Sequence, residues 1–218
     1  MAMAMATNTM IGMLVLVLTL LGSALGFAVP PVEGTEWIEK HPSPAFSVEQ
    51  CAGGQVSDNN FYLPEQPNLD HGGDGCSNRH LRAERRYRND YSSGVYQFGA
   101  AFRINHISDT RIAIRQIFNQ RLDRPYFVLW AAKWGELFGA TGDQLLASHT
   151  ANVGRTVRLN TVHDVEEGRI SLYIDGKELW RDNKVPQDVY YDKIGAYITD
   201  KSFGRMNITW TYVQFWQK

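Results

Sequence analysis

The sequence predicts an all-β chain folded as an antiparallel β-sandwich of the jelly-roll kind, and three observations predict it. Beyond Cys76, short segments rich in Val, Ile, Phe, Tyr and Trp recur along the chain, the composition of half-buried strands. Turn residues separate them, most clearly the two-residue hairpin signal Asp175-Gly176 and the turn Glu166-Glu167-Gly168. Hardly any stretch carries the 3.6-residue period of an amphipathic helix. Strands joined by short turns bury their apolar faces by stacking as two sheets.

In chain order, the first element is a secretory signal peptide over residues 1–26. An apolar run from Met10 to Leu21 is followed by the small-residue stretch Gly22-Ser23-Ala24-Leu25-Gly26. The run is shorter than the roughly 20 residues a membrane helix needs, so the mature chain is expected to be secreted, extracellular and free of the membrane. Residues 27–218, roughly 190 in number, suit one sandwich domain with a substantial core, and a monomer is expected. The formal net charge of −1 gives no basic field that would draw nucleic acid as a partner.

Residues 27–34 are Pro- and Val-rich without periodicity, and residues 69–78 are Gly-rich; both read as loops. His71, Asp70 and Asp74 lie close together there, but Gly-rich turns carry such residues for backbone reasons, and no metal is expected. Cys51 and Cys76 would enter an oxidising compartment on secretion, which favours a disulfide between them. The candidate strands that follow are Val95–Ile104, Arg111–Phe118, Tyr126–Ala131, Thr156–His163, Arg169–Ile174, Lys193–Ile198 and Met206–Trp216. Asn207-Ile208-Thr209 is a glycosylation sequon within the last of them, usable if Asn207 faces solvent. Trp130 and Trp134 receive no role, and His163-Asp164 reads as turn chemistry.

Three segments carry the chemistry. In Arg82-Ala83-Glu84-Arg85-Arg86, strand alternation puts Arg82, Glu84 and Arg86 on one face, a strip of forked donors suited to carboxylates. In Arg111–Phe118, alternation groups Ile112, Ile114, Gln116 and Phe118, leaving Gln116 as an amide that needs partners, from nearby backbone or from a ligand. In Tyr191–Tyr197, alternation groups Tyr191, Lys193, Gly195 and Tyr197. Gly195 would admit a ligand or a neighbouring backbone, and a Lys beside a Tyr would lower the phenol's pKa.

Together these segments resemble the signature segments of the alginate-lyase family of polysaccharide lyases, R-S/T-E-x-R, Q-I-H and Y-F-K-A-G-x-Y-x-Q. They stand here as Arg82 to Arg86, Gln116-Ile117-Phe118, and Tyr191 to Tyr197 followed by Ile198-Thr199. The stretches Asp90 to Val95 and Val162 to Gly176 are similar to plant members of the superfamily, which include citrate-binding proteins; glucuronan lyases share the jelly roll. The resemblance implies a concanavalin A-like fold and β-elimination on a β-1,4-linked uronate polymer, glucuronan or polymannuronate, without a cofactor. By position, Arg82 and Gln116 would neutralise the uronate carboxylate and Tyr197 would act as base and acid. Lys193, Arg86, Glu84 and Tyr191 would bind substrate.

The departure is Phe118 at the family's His, since a phenyl ring transfers no proton. One Tyr can serve both roles when the C5 hydrogen and O4 lie on the same side of the ring, as in mannuronate and glucuronate. Guluronate needs a second proton-transfer group, and none is evident in the three segments. The alternative reading is a non-catalytic carboxylate- or citrate-binding protein on the same fold, which would be vacuolar.

Overall fold

The computed structural model describes residues 29–68, 72–139, 144–198 and 204–218. The expected leader, residues 1–26, lies outside the described residues, as do Asp70, His71 and Thr199. The strands are β1 (Ile38–Glu39), β2 (Phe46–Cys51), β3 (Gln55–Ser57), β4 (Asn60–Leu63), β5 (Arg82–Tyr87), β6 (Val95–Ile107), β7 (Ile112–Asn119), β8 (Arg124–Ala132), β9 (Glu136–Gly139), β10 (Gln144–Ala147), β11 (Thr156–Asp164), β12 (Arg169–Ile174), β13 (Lys177–Asp182), β14 (Tyr190–Tyr197) and β15 (Met206–Gln217). They form two antiparallel sheets. One runs β13-β12-β11-β6-β15-β4-β3 with β1 beside β15, and the other runs β10-β9-β8-β7-β14-β5-β2. Among the described residues no helix is long and apolar enough to cross a membrane.

All seven expected strands are present, with ends moved by up to three residues. The hairpin at Asp175-Gly176 is also there, with both residues at positive φ (51° and 81°), as a tight turn between right-twisted strands requires. Strands the alternation did not announce are short or charged. β13, Lys-Glu-Leu-Trp-Arg-Asp, closes one edge of its sheet, and edge strands carry charge because it discourages pairing with another chain.

Between the sheets lies one core in which Phe61, Phe102, Ile114, Ile117, Phe127, Leu129, Leu159, Leu172, Ile194 and Trp210 are buried. Burying each such side chain contributes about 1.5–3 kcal/mol. The grouping expected on β7 needs correction. Ile112 and Ile114 join this core, whereas Gln116 faces Glu84 on the other side of the sheet. A register shift against β8 between Ala113 and Arg115 adds one residue, and one extra residue reverses every later side chain. Asn207 is half-buried on β15, and its side-chain oxygen accepts from Asn105 Nδ2 at 3.0 Å.

The reversal also sends Arg115 inward. Its guanidinium pairs with Asp192 of β14, donates to Thr161 Oγ1 of the facing sheet at 2.9 Å, and lies 4.3 Å over the Phe98 ring. Asn89 Nδ2 donates to the other Asp192 oxygen at 2.6 Å. Buried His163 sits between Tyr91 and Tyr190, its pKa pushed down to about 3 by burial. It is a neutral core residue, while Asp164 caps the turn by accepting from the Glu167 N–H at 3.0 Å.

On the outer face of the larger sheet, the segment before β1 is held by Glu33, which pairs with Arg169 at 3.0 Å and receives the Tyr173 hydroxyl. Burial alone would raise the Glu33 pKa, but hydrogen bonds from Tyr173 and Arg169 and the charges of Arg169 and Arg181 outweigh it, so the net shift is downward.

Two predictions follow from this packing. Asp192→Ala leaves a buried guanidinium uncompensated and should cost about 3–5 kcal/mol in urea denaturation, whereas replacing Arg115 and Asp192 together by Leu should recover most of that loss. Because the folded pKa of Glu33 lies below its unfolded value of 4.5, its contribution is complete above that pH and is lost as pH falls through the lowered value. Wild type and Glu33→Gln should therefore differ in stability at neutral pH and converge in acid.

Candidate active site

Strand β14 is the axis of the site, with β5 on one side and β7 on the other. The register sets Tyr197 opposite Arg82, Gly195 opposite Glu84, and Lys193 opposite both Arg86 and Gln116. Tyr191 lies opposite Phe118. Arg82, Glu84, Arg86, Gln116, Tyr191, Lys193 and Tyr197 therefore come together on one face of the seven-stranded sheet, while Ala83, Ile194 and Ala196 point into the core. What approaches Gly195 is backbone: at φ 143°, a Cβ there would stand 2.2 Å from the Ala83 carbonyl oxygen.

The charges on this face are interleaved. Glu49 of β2, opposite Glu84 across the β2–β5 pairing, receives Arg82 Nη1 at 2.7 Å and Lys193 Nζ at 2.6 Å on the same oxygen, Oε2. Glu84 is 2 % exposed; Gln116 Nε2 donates to its Oε1, and Arg82 and Lys193 stand 3.6 and 3.9 Å from its Oε2. Burial pushes the Glu84 pKa up, and the nearby Glu49 charge adds to this, against the pull of Lys193, Arg82 and Gln116. For Glu49, Lys193 and Arg82 outweigh burial and hold the carboxyl below its ordinary range. At the far end, Arg86 lies 4.0 Å over the Tyr191 ring, which stacks on Phe118 at 4.9 Å. Burial raises the Tyr191 pKa.

Tyr197 is surrounded differently from what the motifs imply. Lys193 is directed to Glu49, so its charge is not aimed at the phenol. Arg82 lies 4.5 Å over the Tyr197 ring. The hydroxyl oxygen accepts from Asn78 Nδ2 at 2.9 Å and lies 2.9 Å from His80 Nδ1. In the tautomer with Nδ1 unprotonated, Tyr197 donates to His80 while accepting from Asn78, a geometry in which a proton can leave the phenol and the resulting oxyanion keeps a donor. Phe118 itself transfers no proton, but this face carries an imidazole, His80, within hydrogen-bond distance of the Tyr197 hydroxyl. It comes from the segment just before β5 rather than from β7.

His80, Asn78 and Glu49 were missed by sequence reasoning. For His80 a signal existed, since alternation carried back from Arg82 places residue 80 on the same face. Asn78 lies in a Gly-rich loop and Glu49 in a strand without a motif, and neither gives such a signal. The Cys51–Cys76 disulfide is formed. Cys51 pairs with Arg82 across β2 and β5, so the bridge anchors the loop two residues before Asn78 and four before His80.

No family model and no curated protein matches the chain. Solved structures do. AlgAT5, an alginate lyase of polysaccharide lyase family 7, is 18% identical over 75% of this chain and 83% of its own, with a TM-score of 0.54. The family 7 alginate lyase A1-II′ in complex with product is 13% identical over 79% and 95%, with a TM-score of 0.62. An alginate lyase from Pseudomonas aeruginosa is 16% identical over 76% and 86%, with a TM-score of 0.59. This chain has the fold of the family 7 alginate lyases. The jelly roll expected from turn signals and strand composition is therefore the fold observed.

Removing the disulfide as Cys51→Ser with Cys76→Ser should lower stability by about 3 kcal/mol in the chain-entropy account. Thermal unfolding of oxidised wild type against the double variant checks this.

Proposed function

We propose that the protein is a secreted lyase that cleaves a β-1,4-linked uronate polymer, glucuronan or polymannuronate, by β-elimination. The observation that carries this reading is the Tyr197 hydroxyl, held between Asn78 Nδ2 and His80 Nδ1 at 2.9 Å each beside a strip of carboxylate-binding cations. Likeness of fold to alginate lyases is in keeping with the reaction class, but a fold alone hosts many functions, so the side chains of this face carry the reading.

In this reading the uronate carboxylate is met by Arg82, Lys193 and Gln116, whose donors spread the negative charge that develops when the C5 proton is lost. Tyr197, with His80 accepting its phenolic proton, takes the proton from C5. The C5–H electron pair becomes the C4–C5 double bond as the C4–O4 bond breaks, and the departing O4 is protonated from Tyr197 or His80. No oxidant, water or cofactor enters the balance. The products are a new reducing end and an unsaturated uronate. With His80 present, the ground for expecting guluronate to resist cleavage is gone, so polyguluronate belongs among the substrates tested.

Incubation with glucuronan, polymannuronate and polyguluronate separately should raise absorbance near 235 nm, the unsaturated-uronate band expected of this chemistry, with one of the first two. Tyr197→Phe should abolish the rise while polymer binding survives. His80→Ala should lower kcat by about 10²–10⁴-fold and change the shape of its pH profile. Silence on all three polymers, with citrate raising the melting temperature of wild type but not of Arg82→Ala, would favour the carboxylate-binding alternative.

A further inference from the structure

The two cations best placed to hold a substrate carboxylate already hold one. Glu49 Oε2 lies 2.7 Å from Arg82 Nη1 and 2.6 Å from Lys193 Nζ, while the donor amide of Gln116 is taken by Glu84. Glu49 also stands directly opposite Glu84, and like charges in that position destabilise a sheet pair. The arrangement is tolerable because Arg82 and Lys193 approach both carboxyls. Glu49 is partly covered rather than sealed: its side chain is 13% exposed, and Gly75 of the disulfide loop lies over it, so close that a Cβ there would stand 2.9 Å from Glu49 Cβ.

We propose that Glu49 is a resident carboxylate which an anionic ligand must displace from Arg82 and Lys193, and that this competition sets the affinity of the site for acidic sugars. The proposal rests on the reading of this face as a uronate site. A neutral sugar hydroxyl cannot compensate two partly buried cations for a lost carboxylate, whereas a uronate carboxylate replaces it charge for charge. Apparent affinity is then the intrinsic affinity reduced by the fraction of molecules in which Glu49 has swung away. Glu49 acts on substrate through Arg82 and Lys193 and is a positioning residue, not a catalytic one.

The test is calorimetric titration of a glucuronate trisaccharide, citrate and a neutral cello-oligosaccharide into Tyr197→Phe protein, which cannot turn substrate over, with Glu49 intact or changed to Gln. Glu49→Gln should bind the trisaccharide and citrate at least about tenfold more tightly, leave the neutral sugar unchanged, and lower the melting temperature of the unliganded protein. Affinity and stability thus move in opposite directions, which a merely structural residue would not produce. If Glu49→Gln does not fold, Glu49→Asp, too short to keep both contacts, should show the same directions at smaller size. Acidic-ligand binding that is unchanged, weaker or absent in the variants overturns the proposal. Tighter citrate binding in Glu49→Gln, in a protein whose wild type cleaves no polyuronate, would sustain it while sinking the lyase reading.

Discussion

The ion pair between Arg115 and Asp192 governs the site although neither residue faces it. Each is the chain neighbour of a side chain of the candidate site, Gln116 in one case and Lys193 in the other, and the pair crosses from β7 to β14 inside the sandwich. Thr161 and Phe98 of the facing sheet receive the guanidinium, so the contact also sets how the sheets stack. Sliding β14 by one residue would turn Lys193 into the core and Asp192 out to the working face. A charge pair buried at that point makes such a slip far costlier than an apolar pair would, because Arg115 would lose its carboxylate and meet the cation of Lys193 in a low-dielectric interior.

On the working face the same economy of charge is handled by alternation. Arg82, Lys193 and Arg86 are separated by Glu49 and Glu84, so the face is a balanced mixture rather than a basic patch, in keeping with a chain whose formal net charge is −1. The two carboxyls differ in character. Glu49 is held ionised by direct contacts with both cations, whereas Glu84, almost wholly buried, is biased toward its protonated form. Tyr197 stands at the end of this strip nearest the disulfide loop, within hydrogen-bond distance of Asn78 and His80. Phe118, Tyr191 and Arg86 form an aromatic stack at the other end.

How much of this was legible in the sequence depends on how local the cause was. Period-two alternation placed Arg82, Glu84 and Arg86 together correctly, and the hairpin at Asp175-Gly176 followed from its turn chemistry. Alternation failed on β7 because a bulge is a property of two strands in register, invisible in either one alone. It found no partner for Gln116, since Glu84 reaches it across β14. Glu49 was beyond reach for the same reason: its role arises from β2 lying beside β5, and nothing within Phe46–Cys51 announces that neighbour. His80 alone is within reach of the sequence, because the alternation that groups Arg82, Glu84 and Arg86 also places residue 80 on their face.

The contact at Gly195 bears on how such a chain can be rebuilt. With the Ala83 carbonyl standing where a Cβ would be, the two strands fit as a matched pair, cut to each other's backbone rather than to side chains. A chimera that took β5 from one relative and β14 from another would inherit two surfaces never shaped together. Segment recombination on this scaffold should therefore move residues 82–87 and 190–197 as one block, and place its crossovers in the loops outside them.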